Sequence, residues 1–214
     1  MCQADRVKLF LPMNQAPYRT AIIEHVQRHA NPPDKFSHQA RLYAIAVELA
    51  EGSPFDDDVV FAAAWMHDLG VFIGHRPENL RALASWDHLA YALQQAPSVL
   101  AGAGFPAEKT AAVLEAIRTH MPASDPGTFE GVLVRDADIL EQLGAVGILR
   151  TVSKVGRDTR FIRFSDALGI LRRNLEELPD KIRLESARKR AQAKLKALQR
   201  FLDAASAETG PIPW

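Results

Sequence analysis

Apolar residues recur at helical spacing along most of this chain, and no stretch alternates between apolar and polar positions as a half-buried strand does. The most apolar stretch runs from Val59 to Met66 and is hydrophobic nearly all round, which predicts a helix buried at the centre of the fold. A helix-start signal precedes it, with Ser53 as the cap and Pro54 at the first helical position. Gly70 is its expected terminator.

The same spacing predicts further helices over 17–30, 37–52, 82–95, 106–120, 132–144, 145–156, 164–178 and 180–206. The fold class expected from this pattern is therefore all-α. The last helix has a narrow apolar stripe, and basic residues cover the rest of its surface. Such a helix could contact nucleic acid or an acidic partner, but a solvated outer face is the better interpretation.

Composition narrows the class of protein. The 214 residues are enough for one sizeable core, and no linker-like segment divides them, so a single domain over 1–214 is expected. The 26 basic and 26 acidic residues cancel, so we expect neither nucleic acid nor a membrane as partner. Cys2 is the only cysteine, which excludes an internal disulfide and a thiolate-rich metal site. The first fifteen residues lack a long apolar run, so no secretory signal is expected and a cytoplasmic location is predicted.

Polar side chains interrupt the apolar pattern at three places. His67 and Asp68 come directly after the most apolar helix, and His38 lies in the first turn of an earlier helix. Asp136 and Asp138 fall within an apolar run, where a carboxylate is costly unless it meets a cation. A salt bridge would satisfy either acid. Alternatively, imidazole nitrogen and carboxylate oxygen together suit a divalent metal ion.

The order of these residues resembles that of the HD-domain superfamily of metal-dependent phosphohydrolases. The resemblance covers about residues 36–147, and its best parts are the segments Ala64-Trp65-Met66-His67-Asp68-Leu69-Gly70 and Arg135-Asp136-Ala137-Asp138-Ile139-Leu140-Glu141. It implies an HD-domain-like helical bundle over 36–147, with extra C-terminal helices over 148–206.

The resemblance also implies a ligand set for one or two divalent ions, which would be Mn, Fe, Ni, Zn or Mg. The residues implied for the first ion are His38, His67, Asp68 and Asp138. Asp138 is preferred to Asp136 because the family ligand comes just before the residue-Leu pair. Members with two ions carry two more histidines, and His88 and His120 stand where these would fall. Asp68 would then bridge the ions and be the central catalytic ligand. Two helix-surface histidines remain the alternative for His88 and His120, and His75 is a weaker candidate ligand.

The implied activity is hydrolysis of a phosphate ester of a small metabolite or nucleotide by metal-activated water. Cations that could bind the substrate phosphate are Arg76, Arg81, Arg135 and the series Lys154, Arg157, Arg160 and Arg163, and of these Arg76 and Arg135 are the candidates carried as site residues. Whether the protein forms a homo-oligomer stays open.

One departure from the family pattern leaves other functions open. Many family phosphohydrolases have a Lys directly after the motif or an acid a few residues later, whereas Val71 and Phe72 stand here. The oxygenase branch of the superfamily, similar to myo-inositol oxygenase and a phosphonate-cleaving enzyme, uses the same ligand pattern for two irons. A di-iron oxygenase is therefore the first alternative. A non-catalytic, metal-binding regulatory module is the second.

Overall fold

The computed structural model describes residues 16–158 and 160–209, and these residues form ten α-helices and no strand beyond one isolated bridge. The all-α prediction is confirmed. Cys2 lies outside the described residues. Within the described part of the chain, no helix is both long enough and apolar enough to cross a membrane.

The helices are numbered here in chain order. They are α1 (Pro17–His29), α2 (Ser37–Leu49), α3 (Asp57–Met66), α4 (Leu80–Ala84), α5 (His88–Ala103), α6 (Thr110–Arg118), α7 (Phe129–Gln142), α8 (Gly144–Val152), α9 (Phe164–Glu177) and α10 (Glu185–Thr209). Short 3-10 turns at Pro33–Phe36, Leu69–Val71, Ala107–Lys109 and Pro179–Lys181 connect some of them.

Helix α3 is the centre of the core, as its apolar sequence predicts. It contacts α1, α2, α6 and α7, and every residue from Val59 to Met66 is buried. Helices α2 and α7 also pack against each other, so the apolar part of α3 is enclosed by its neighbours. Burial of one large side chain such as Phe61 contributes about 1.5–3 kcal/mol. Core packing therefore fixes the end of α3, directly before His67 and Asp68.

The predicted start of α3 is wrong by about one turn. The helix begins at Asp57, and its cap is Asp56 rather than Ser53. The Asp56 carboxylate accepts hydrogen bonds from the main-chain N–H groups of Asp58 and Val59, at 3.1 and 3.3 Å. A carboxylate at this position satisfies helix-end donors and favours the positive helix terminus.

The single helix predicted over 82–95 is also wrong, because two helices occupy this region. Helix α4 ends at Ala84, and α5 begins at His88 and continues to Ala103. Asp87 caps α5, since its carboxylate accepts a hydrogen bond from the Ala90 N–H at 2.9 Å. The break places His88 at the first residue of a helix.

Helices α8 to α10 form a C-terminal extension that packs on α7 and on each other. In α10, Ala187, Ala191 and Leu198 are buried, whereas the basic residues between them are exposed. The Ser186 hydroxyl donates to the carbonyl of Leu49 at 2.8 Å, which ties α10 to α2. The basic face of α10 is therefore accessible, and its role as a solvated surface stays a prediction.

Candidate metal centre

His67 and Asp68 lie where α3 ends. The His67 N–H still donates to the Ala63 carbonyl at 2.9 Å, and the chain then turns into the 3-10 segment Leu69–Val71. Gly70 is required in this turn, because a Cβ there would meet the carbonyl oxygen of His88 at 2.4 Å. The turn therefore brings the start of α5 directly against the end of α3.

The structure brings five of the six sequence-predicted metal ligands together from four segments, and His88 lies outside the groups that they form. Two overlapping groups each have ligand atoms within 4.8 Å of one another, and His67 belongs to both. The first group contains His38, His67 and Asp138, and the second contains His67, Asp68 and His120. This geometry is compatible with one or two divalent ions.

The three buried histidines present the same nitrogen to the cluster. His67 Nδ1 lies 2.9 Å from the Ala64 carbonyl, and His120 Nδ1 lies 2.7 Å from the Ile117 carbonyl. These contacts fix Nδ1 as the protonated donor and leave Nε2 with a lone pair. The Nε2 atoms of His38 and His67 are buried and have no hydrogen-bond partner among the described residues. An unpartnered buried nitrogen beside carboxylates fits a metal ligand.

Asp136 and Asp138 both lie on α7, but their carboxylates have different partners. Asp138 Oδ1 lies 3.3 Å from His38 Nε2, and its Oδ2 accepts a hydrogen bond from Gln142 at 3.0 Å. Asp136 instead accepts main-chain hydrogen bonds from Arg183 and Leu184, at 2.9 and 2.7 Å. The carboxylate of Asp136 therefore anchors the approach to α10, while that of Asp138 faces the cluster.

Asp68 lies among the histidines. Its Oδ2 is 3.6 Å from His67 Nε2 and 3.8 Å from His38 Nε2, and its side chain keeps 17% of its surface exposed. His88 is partly exposed, and its ring centroid is 6.4 Å from that of His120. His75 lies outside both ligand groups, because its Nδ1 contacts the Leu69 carbonyl at 2.8 Å.

The electrostatics of the cluster suit cation binding. Burial lowers the pKa of His67 to about 4, so its ring is neutral at pH 7. Burial alone would raise the pKa of Asp68, but the imidazoles of His67 and His38 hold it below its usual range. Burial would likewise raise the pKa of Asp138, but the His38 imidazole, whose Nε2 lies 3.3 Å from its Oδ1, holds it below its usual range. The cluster thus combines ionised carboxylates with imidazole nitrogen donors.

The two arginines considered for substrate phosphate have different surroundings. Arg76 Nη1 donates to Asp158 at 2.9 Å, and Asp158 also pairs with Arg160. Arg135 is only 4% exposed, and its guanidinium donates to the main-chain carbonyls of Ser124 and Lys181. Its Nη1 and Nη2 donors therefore join α7 to the Ser124 segment and to the C-terminal extension, and they are not available to a phosphate.

Two lysines lie near Asp68: Lys154 is one of the cations predicted to bind phosphate, whereas Lys35 was missed by sequence reasoning. Lys35 Nζ donates to the Val71 carbonyl at 3.2 Å, and burial lowers its pKa to about 8. Burial also lowers the pKa of Lys154, whose Nζ lies 5.2 Å from the ring centroid of Phe161. The charge of Asp68 acts on both lysines. Lys35 lies in the 3-10 segment Pro33–Phe36, where no periodic pattern indicates a functional side chain, and Lys154 lies in the turn after α8.

The HD domain family matches residues 36–143 of the chain, which is about half of its length and includes every residue of the two ligand groups. No curated protein matches the chain at a significant level.

Solved structures of similar fold include YpgQ of Bacillus subtilis, which is 22% identical with a TM-score of 0.71 over 92% of this chain and 97% of YpgQ. YpgQ in complex with ADP is 23% identical with a TM-score of 0.68, over 91% of this chain and 100% of that one. A predicted HD superfamily hydrolase from an uncultured Thermotogales bacterium is 26% identical with a TM-score of 0.58, over 90% of this chain and 91% of its own. These likenesses extend beyond residues 36–143 and include the C-terminal helices.

Proposed function

The chain belongs to the HD-domain family, and on that premise we propose that it is a metal-dependent phosphohydrolase that cleaves a phosphate ester of a small metabolite or nucleotide. The observation that carries this proposal is the pair of buried, unpartnered Nε2 atoms of His38 and His67 beside the carboxylates of Asp68 and Asp138. Without a bound cation this arrangement would only destabilise the core, because each buried nitrogen without a partner costs about 1–3 kcal/mol.

In this proposal, His38, His67, Asp68 and Asp138 hold the first divalent ion, and His88 and His120 complete a site for the second. Asp68 would contact both ions: it belongs to the second ligand group, and its Oδ2 lies 3.8 Å from Nε2 of His38 in the first. A bound divalent ion would activate water and offset the negative charge that develops on a phosphoryl oxygen. The partly exposed carboxylate of Asp68 marks the side from which substrate and water reach the site.

The lysines near Asp68 support an anionic substrate. Within the described residues, neither Lys35 nor Lys154 forms an ion pair, although both are largely removed from solvent. A desolvated ammonium group without a carboxylate partner gains most from a bound anion such as phosphate. We propose that Lys35 and Lys154, with Arg76 beside them, bind the phosphate of the substrate.

Lys35 also offers a replacement for the family lysine that is missing at Val71. The family pattern expects a lysine directly after the motif, and here the Lys35 ammonium reaches the main chain of the residue at that position. A positive charge is thus available from another segment. The structure of YpgQ in complex with ADP supports including nucleoside phosphates among the substrates to be tested.

The first test is the metal content of protein purified without chelator. We expect at least one equivalent of Mn, Fe, Ni, Zn or Mg, and less than about half an equivalent would contradict the metal site. The second test is phosphate or pyrophosphate release from a panel of nucleotides and sugar phosphates. Release is expected for the native protein and for Lys196→Ala, an exposed control on α10. It should be lost in Asp68→Ala and Asp138→Ala.

The alternatives have different results in the same tests. Two equivalents of iron together with oxygen uptake would identify the oxygenase. Bound metal without turnover of any phosphate ester would favour the regulatory module and contradict the proposed activity.

A further inference from the structure

Glu141 lies directly behind His38. It follows Asp138 by three residues on α7, so the two carboxylates lie one above the other on the same face of the helix. Only 1% of the surface of Glu141 is exposed, and its Oε2 lies 3.3 Å from His38 Nδ1. His38 is therefore placed between two carboxylates, with Asp138 facing its Nε2 and Glu141 facing its Nδ1.

The Nδ1 partner of His38 differs from those of the other two buried histidines. The Nδ1 atoms of His67 and His120 are held by carbonyls three residues earlier in their own segments. The corresponding carbonyl for His38 belongs to Lys35, and it accepts a hydrogen bond at 3.0 Å from the Gln39 amide in the orientation that satisfies both groups. The Nδ1 of His38 instead meets its acceptor on another helix, the Glu141 carboxylate of α7, at 3.3 Å.

We infer that Glu141 is a positioning residue that sets the tautomer and ring orientation of His38 for metal binding, and that Arg150 of the C-terminal extension helps to hold it. A carboxylate that accepts from Nδ1–H presents Nε2 toward the cluster and makes the imidazole a stronger ligand. This inference rests on the proposed metal site, but it does not depend on which phosphate ester is cleaved.

Two arginines fix the Glu141 carboxylate. Arg41 contacts Oε2 through Nε and Nη2, both at 3.0 Å. Arg150 Nη1 donates to the Glu141 main-chain oxygen at 3.2 Å and lies 3.8 Å from Oε2. Arg150 belongs to α8, outside the residues 36–143 that match the family. The extension thus contributes a contact that reaches the metal ligand through one intervening residue.

The experiment is a Mn²⁺ titration of metal-free protein carrying Glu141→Leu, Glu141→Gln or Arg150→Leu. Removal of a second partner of a ligating histidine typically weakens metal binding about 10- to 100-fold, and we expect this for Glu141→Leu. Glu141→Gln keeps an oxygen acceptor for Nδ1–H and should lose less affinity. Arg150→Leu should fall between Glu141→Gln and the native protein, because Arg41 remains.

Asp136→Asn is the matched control, since Asp136 is another buried carboxylate of α7 and its hydrogen bonds come from main-chain N–H groups of the extension and not from a histidine of the cluster. This variant should lower the unfolding temperature and leave the Mn²⁺ affinity unchanged. The ¹⁵N NMR shifts of His38 in metal-free protein provide a second readout, because Glu141→Leu should change its tautomer while a loss of stability alone would not.

The outcomes separate this inference from the proposed function. Native affinity and an unchanged His38 tautomer in Glu141→Leu would overturn the positioning role and leave the phosphohydrolase proposal standing. Native protein that binds no divalent metal would overturn both. Equal loss of Mn²⁺ affinity in Asp136→Asn and Glu141→Leu would also overturn the positioning role. Such a result would show that the loss comes from general destabilisation of the fold.

Discussion

The main chain of His88 lies directly against Gly70, and a Cβ at position 70 would meet three His88 backbone atoms at 2.4 to 2.9 Å. Trp86 strengthens the same contact, because its indole N–H donates to the Gly70 carbonyl at 2.8 Å. The glycine of the motif therefore does more than end α3. It allows the first turn of α5, with His88, to approach Asp68.

Gly70→Ala should accordingly displace the start of α5. Overpacking of a buried contact costs about 1–3 kcal/mol, so urea unfolding should show a loss of stability of this size. Because His88 moves, we also expect one metal ion fewer per chain. Gly102→Ala on the same helix is the control: nothing lies within 4 Å of its added Cβ, and a gain of about 0.5–1 kcal/mol is expected. Native metal content in Gly70→Ala would contradict the role given to the contact.

The second metal ion can be tested through its own ligands. His120→Gln should remove one ion per chain and retain the ion held by His38 and Asp138, because His120 belongs only to the second of the two overlapping groups. His88→Gln should have the same effect, since the His88 ring lies beside that of His120, with centroids 6.4 Å apart. Metal analysis after gel filtration measures the stoichiometry. His75→Gln is the control, since His75 lies outside both groups and contacts the Leu69 carbonyl. Retention of two ions by His120→Gln would contradict a second site at this position.

Lys35→Ala should weaken substrate binding. One hydrogen bond to a charged group contributes about 1.5–3 kcal/mol, which corresponds to a rise in KM of about 10- to 100-fold. Metal content should stay the same, because Lys35 is not in either ligand group. Lys35→Arg should restore part of the affinity by keeping the positive charge, and the exposed Lys196→Ala should behave like the native enzyme. An unchanged KM in Lys35→Ala would remove this residue from the phosphate site.

The sequence allowed prediction of what depends on local pattern. The burial of α3 follows from its unbroken apolar run, and the family resemblance of its last residues is confirmed. The break before His88 was not predicted, although Asp87 is a typical cap residue and was its available signal. With the break missed, the sequence did not indicate which way His88 faces. The packing of His88 against Gly70 determines this direction.

Residues that reach the site from irregular segments were beyond sequence reasoning. Lys35 comes from a 3-10 segment, and Lys154 follows the end of α8 although the sequence predicts a helix through residue 156, so only tertiary packing brings their charges near Asp68. Glu141 could have been found, since a helical position three residues after Asp138 faces the same side. Its partner Arg150 could not, because the approach of α8 to α7 is set by packing and not by any motif.

The opposite end of α3 carries a charge cluster whose effect is on stability. Asp58 accepts hydrogen bonds from Tyr18, Arg19 and Lys109 at 2.5 to 2.8 Å, and 22% of its side chain is exposed. Burial would raise the pKa of Asp58, but the hydrogen bonds from Arg19 and Lys109 hold it well below its usual range. In the unfolded chain the carboxyl returns to a pKa of about 3.9.

The unfolded state therefore takes up a proton at Asp58 before the folded state does as the pH falls. The stability that this carboxylate contributes is present above about pH 5 and is lost progressively below about pH 4. The free energy of unfolding of native protein minus that of Asp58→Asn should be positive at pH 7 and should shrink toward pH 2. Urea titrations at several pH values measure this difference. Asp180→Asn, which removes an exposed carboxylate, controls for the change in net charge. A difference that stays constant from pH 6 to pH 2.5 would show that Asp58 does not stabilise the fold as an anion.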